Sequence, residues 1–110
     1  MKIAIVGSRT LVLEDISPYV ADCDEIVSGG AKGVDTYAAE YARKNSIKLT
    51  EFLPDYEKYG RAAPIRRNEQ IVDYADKIIA FWDGHSKGTL SVIKYAEKAE
   101  KQCQVVLCIE

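Results

Sequence analysis

Four short stretches of this 110-residue chain gather the residue types that hold anions. They read Gly7-Ser8-Arg9; Ser28-Gly29-Gly30-Ala31-Lys32-Gly33-Val34-Asp35; Pro54 to Pro64 running into Ile65-Arg66-Arg67-Asn68; and Asp83-Gly84-His85-Ser86-Lys87-Gly88-Thr89. Glycines at positions 29, 30, 33 and 88 let backbone N–H groups come close to a ligand. A helix that starts beside them adds free N–H groups and a positive partial charge. Together these make an anion site, most often for phosphate. Of the five arginines, only Arg43 falls in a helix body. Arg9, Arg61, Arg66 and Arg67 fall in these stretches or in the first helical turn after Pro64, and Lys32 and Lys87 stand beside helix starts. Arg66 and Arg67 at a helix start oppose the dipole, at up to about 1 kcal/mol each. An anionic ligand accounts for that placement. The competing account is that Asp35, Asp55, Glu57, Glu69 and Asp83 neutralise the cluster by themselves.

Other chemistry is less well supplied. Walker A requires G-x-x-x-x-G-K-[ST], and here Lys87 precedes Gly88-Thr89. The dinucleotide fingerprint G-x-G-x-x-G should follow the first strand, where only Gly7 stands. Asp35 at a helix start serves either as a cap or as a partner for a ribose hydroxyl. Asp83 could hold Lys87, but one carboxylate is no metal site, so no metal is expected. His85 has no partner for an acid–base pair and reads as an exposed loop residue. Tyr56 and Tyr59 either stack on a base or pin their loop. Three cysteines, Cys23, Cys103 and Cys108, lack zinc or disulfide spacing and read as buried or half-buried thiols of a cytoplasmic protein.

Those stretches need elements to position them. β-branched runs at Lys2–Val6, Glu25–Ser28, Ile47–Phe52, Ile78–Trp82 and Gln104–Ile109 read as five strands. Helices are expected over Ile16–Ala21 (capped by Asp15), Gly33–Lys44, Pro64 to about Ala75 and Lys87 or Gly88 to about Lys101. Their inward faces read as Val34, Ala38, Tyr41 and Ala42; Ile65, Ile71, Val72 and Ala75; and Leu90, Ile93, Ala96 and Ala99. Leu53 to Ala63 reads as loop. Strands alternating with helices give a parallel sheet with helices on both faces, an α/β fold of three layers. Ligands then bind outside the carboxyl ends of the strands, where the four stretches lie. Tyr37, Tyr41, Tyr74 and Tyr95 make the helix surfaces rich in tyrosine, consistent with a homodimer or higher homo-oligomer face.

A length of 110 residues fits one domain, 1–110. With 47% hydrophobic residues the chain can form a core, and its apolar runs are too short to span a membrane. The first residues reach a turn too soon for a signal peptide. A net charge of −2 disfavours nucleic-acid binding through overall charge.

Taken in order, Gly7-Ser8-Arg9, the Ser28–Asp35 segment, Pro54-Asp55-Tyr56, Arg67-Asn68 and Gly88-Thr89 resemble the SLOG superfamily, closest to its small YspA-like branch. That superfamily includes DNA-processing protein A and the Lonely Guy phosphoribohydrolases. The resemblance covers nearly the whole chain. It implies a Rossmann-like sheet of order 3-2-1-4-5 that binds a nucleotide or nucleotide-derived ligand, with no certain cofactor. It places Gly7, Ser8 and Arg9 toward the ligand, Gly29, Gly30 and Gly33 around a phosphate, Gly88 and Thr89 on a second polar group, and Arg67 and Asn68 reaching in. With Ser28, Lys32, Asp35, Asp83 and Lys87 these form the expected site. Lonely Guy enzymes carry a catalytic glutamate three residues after the loop threonine, where this chain has Val92. Catalytic residues therefore stay unassigned. A sensor or binding domain, a nucleotide hydrolase and a single-stranded nucleic-acid binder are the three readings, in that order.

Overall fold

The strands are Lys2–Gly7 (β1), Glu25–Ser28 (β2), Lys48–Glu51 (β3), Lys77–Trp82 (β4) and Gln102–Leu107 (β5). The structure, a computed structural model, describes residues 1–8, 11, 16–21, 23–30 and 33–108. All pairings are parallel and the order is β3-β2-β1-β4-β5. This is the order that the resemblance implied. The chain leaves β1 toward one edge and returns on its other side at β4, so β1 and β4 flank the crevice at the reversal point.

The central strands are apolar on both faces because both are covered. Ile3 and Ile5 of β1, with Ile79 and Phe81 of β4, join a core closed by Val34, Ala38 and Ala42 of helix α1 (Val34–Lys44). Ala4, Val6, Ile78 and Ala80 point the other way. There they meet Ile71, Val72 and Ala75 at the end of α3 (Ala63–Tyr74), and Val92 and Ala96 of α4 (Lys87–Lys98). Alternation along each strand thus feeds two cores, with successive residues going to opposite faces.

Several expectations are corrected. The helix expected over Ile16–Ala21 is only a 3-10 turn, Ser17–Tyr19, containing Pro18. A proline supplies no N–H, so it favours a helix start over a continuing helix. Asp15, its expected cap, lies outside the described residues. Leu53–Ala63 is largely helical. Asp55 accepts the Lys58 N–H at 3.1 Å and starts a one-turn helix, α2 (Tyr56–Tyr59), followed by a 3-10 turn at Gly60–Ala62. Strand β5 begins at Gln102, two residues early. On α4 the buried positions are Thr89, Val92 and Ala96, while Leu90 and Ile93 flank them half-buried and Ala99 is exposed. Ile65, on the first turn of α3, is 53% exposed. The tyrosines do not share one surface. Tyr41 packs on the α1 side of the sheet, and Tyr74 and Tyr95 on the other.

Candidate functional site

A cleft of about 440 Å³ opens at the carboxyl ends of β1, β2 and β4. Its floor is Val6-Gly7-Ser8, from the end of β1. Gly7 has no room for a side chain: a Cβ would stand 2.6 Å from Val34 Cγ2 and 2.7 Å from the Phe81 carbonyl oxygen. The missing side chain lets the start of α1 close onto the strand. Ser8 is 2% exposed; its N–H donates to the Phe81 carbonyl at 3.1 Å, and its hydroxyl accepts the Asp83 N–H at 3.3 Å. One serine therefore ties the first loop to the fourth.

The second wall comes from β2, α1 and α3. Ser28 ends β2 fully buried, and its hydroxyl accepts the Gly30 N–H at 3.3 Å, which shapes the turn. Gly30 has φ +68°, and a Cβ there would meet Leu53 Cδ2 at 2.6 Å. Gly33 caps α1 at φ +81°, a conformation glycine adopts without strain. These residues bend the backbone so that Gly29 and Asp35 reach the cleft. From α3, Arg67 donates through Nη1 to the Gly29 carbonyl at 2.9 Å and through Nε to Asn68 Oδ1 at 2.9 Å. A Cβ on Gly29 would lie 2.7 Å from Arg67 Nη1 and 3.2 Å from Asp35 Oδ2. Guanidinium and carboxylate thus converge on one bare backbone position. Asp35 is 8% exposed at the amino-terminal turn of α1, where the helix dipole favours its charge.

The third wall is the fourth loop and the start of α4. Asp83 Oδ1 accepts the N–H groups of Ser86 and His85, each at 2.8 Å. The Ser86 N–H first, then the His85 N–H, hold the Asp83 carboxyl below the usual carboxylate range. Ser86 caps α4, its hydroxyl accepting the Thr89 N–H at 3.4 Å, while its carbonyl accepts the Trp82 indole N–H at 3.0 Å. A loop fixed at both ends presents Gly88 and Thr89 to the cleft. A Cβ on Gly88 would meet nothing within 4 Å.

Nine of the expected site residues line the cleft together: Gly7, Ser8, Gly29, Asp35, Arg67, Asn68, Asp83, Gly88 and Thr89. Ser28, Gly30 and Gly33 shape the loop behind them. Lys87 is exposed beside the cleft and does not line it, and no ion pair joins it to Asp83 among the described residues. Arg9 and Lys32 lie outside the described residues. Arg66 turns away to solvent and pairs with Glu69 at 3.0 Å, the local neutralisation that competed with a ligand for this residue. His85, Tyr56 and Tyr59 are also absent from the lining. The sequence reading missed Val6, Pro64, Ile71, Ser86 and Val92. Ser86 carried a signal, a serine three positions before Thr89 at a helix start. Val92 is 2% exposed and packs in the core while its edge reaches the cleft. Among the described residues, no group of His, Cys, Asp and Glu is placed to hold a metal, and no helix is long and apolar enough to cross a membrane.

Fold and cleft define a class: a Rossmann-like α/β domain with a cleft at the topological reversal of a parallel sheet. The chain belongs to the YspA, cpYpsA-related SLOG family, whose model matches residues 1–59. That stretch carries Gly7, Ser8, Gly29 and Asp35; Arg67, Asn68 and the fourth loop lie beyond it. The chain is 36% identical over 80 residues to the gene 61 protein of Mycobacterium phage D29, covering 67% of this chain and 64% of the phage protein. It is 33% identical over 57 residues to the uncharacterized SPbeta prophage-derived protein YoqJ of Bacillus subtilis (strain 168), covering 49% of this chain and 33% of that protein. It thus spans less than two thirds of either relative's length. No solved structure matches.

Proposed function

We propose that residues 1–110 form a nucleotide-binding domain whose cleft takes a nucleotide or nucleotide-derived phosphate ligand, as a binding or sensor module. The observation that carries this reading is the meeting of Arg67, Asp35 and the bare Gly29 backbone opposite the first turn of α4. The α4 turn offers N–H groups and Thr89 to a phosphate, and Arg67 adds a fixed positive charge. Asp35 suits the hydroxyl donors of a ribose. Membership in the SLOG family, whose domains generally bind nucleotide-derived ligands, supports the same class.

Native mass spectra of freshly purified protein, followed by calorimetry with AMP, ADP, cyclic AMP and ADP-ribose, test the reading. One of these is expected to bind with a dissociation constant of about 1–100 µM. Failure of all four to bind below about 1 mM counts against it. The hydrolase reading keeps one foothold, since Asp35 is a buried carboxylate facing the cleft. Chromatography of the same mixtures for a freed base or phosphate decides it.

A further inference from the structure

The two edges of the sheet are built differently. β3 closes one side as Lys48-Leu49-Thr50-Glu51, with a charge at each end. Charged side chains on an edge strand discourage pairing with another strand. β5 closes the other side as Gln102-Cys103-Gln104-Val105-Val106-Leu107, with no charge, proline or glycine. Its backbone parity follows from the Cys108 N–H, which donates to the Trp82 carbonyl at 2.7 Å. N–H and C=O groups alternate in direction along a strand, so those of 104, 106 and 108 turn toward β4. Those of 103, 105 and 107 turn outward. The side chains of these same three residues share one face. Cys103 packs on the core beneath α3 and α4, while Val106 packs on the opposite one. Val105 is 43% and Leu107 55% exposed.

We propose that β5 pairs antiparallel with β5 of a second copy of this chain, about a two-fold axis through Val105, fusing the two sheets into one. The axis sets Val105 opposite Val105 of the partner subunit, and Cys103 opposite Leu107 of the partner subunit. These are the positions whose N–H and C=O groups already face outward, so each pair exchanges backbone hydrogen bonds. The strand is its own complement: apolar at the axis and two residues to either side, with no charge to meet its like. The arrangement also closes. A two-fold contact consumes both β5 edges and leaves the charged β3 edges outermost, so it yields a dimer and not a fibre.

Sedimentation over a concentration series, with Val105→Lys and Val105→Cys, tests this. The wild-type chain is expected to be a dimer. Val105→Lys, at a half-exposed position, should keep its circular dichroism spectrum and raise the dimer dissociation constant by at least about 100-fold. Val105→Cys should form a disulfide dimer under mild oxidation, linked at 105 by peptide mass mapping, because paired Cα atoms there stand about 5.5 Å apart. A wild-type chain that stays monomeric at about 100 µM overturns the proposal and leaves the edge to a strand of some other protein. A dimer that Val105→Lys leaves intact and position 105 cannot crosslink overturns it equally.

Discussion

The two ends of the sheet treat a buried carboxylate in opposite ways. At the amino end Glu25, 8% exposed, accepts the Tyr74 hydroxyl at 2.6 Å and the Thr50 hydroxyl at 2.8 Å, with Lys48 Nζ at 3.5 Å. The Lys2 ammonium lies 4.1 Å from the Tyr74 ring centroid. These partners lie away from the cleft. At the carboxyl end Asp35, equally buried, looks onto an open cleft beside Arg67 and a row of glycines. One end spends its polar groups on holding strands and helix together. The other holds them in place against a space large enough for a ligand. Burial of a charge therefore does not mark a site by itself; what matters is whether the surroundings are closed.

That contrast can be sharpened by substitution. The largest effect is expected from Arg67→Ala. Losing a charge-assisted contact to phosphate should weaken nucleotide binding by about 100-fold or more in calorimetry, and losing the Gly29 carbonyl's donor should lower stability by about 1–2 kcal/mol. Unchanged binding would move the site away from this cleft. Gly7→Ala comes next and acts through packing. With Val34 and the Phe81 carbonyl in the way, it should lower stability by about 1–3 kcal/mol in chemical denaturation.

Glu25→Gln should lower stability by about 1–2 kcal/mol and leave ligand affinity unchanged, separating the two ends of the sheet. The Tyr74 hydroxyl above all, with Thr50 and Lys48, holds the Glu25 carboxyl below its usual range. A carboxylate lowered on folding contributes stability above its unfolded pKa, and that contribution is lost as pH falls through the folded value. Denaturation midpoints of the wild type should thus decline from about pH 4 downward, and the Gln variant should show a shallower decline. The smallest effect belongs to Gly88→Ala. Its Cβ meets open space, so stability should stay within about 0.5 kcal/mol of wild type. Any loss in ligand affinity there reports close approach to the α4 backbone.

Much of this was legible in the sequence because central strands and glycine turns leave strong signals. Ile3–Val6 and Ile78–Trp82 are continuous apolar runs, as expected of strands covered on both faces. The glycines at 7 and 29 marked where backbone and helix come close. Helices shorter than two turns left no period to read, so α2, which Asp55 caps, was read as loop. On α4, Leu90 and Ile93 are larger than Thr89 and Val92, so size pointed about one position away from the true inward face. Exposed β5 lacks the full apolar pattern, and its start was read late. Arg66 and Arg67 were indistinguishable as letters. The resemblance picked out Arg67, and the α3 register shows why: Arg66 pairs with Glu69 while Arg67 enters the cleft.

The Arg67–Gly29 hydrogen bond spans 38 positions of sequence and fastens the first turns of α3 to the loop after β2. Two segments joined by one such strut open to solvent together. Their amide protons should show similar protection against exchange. A molecule seated against that strut would slow both segments at once, making exchange at the start of α3 a gauge of occupancy in the loop after β2.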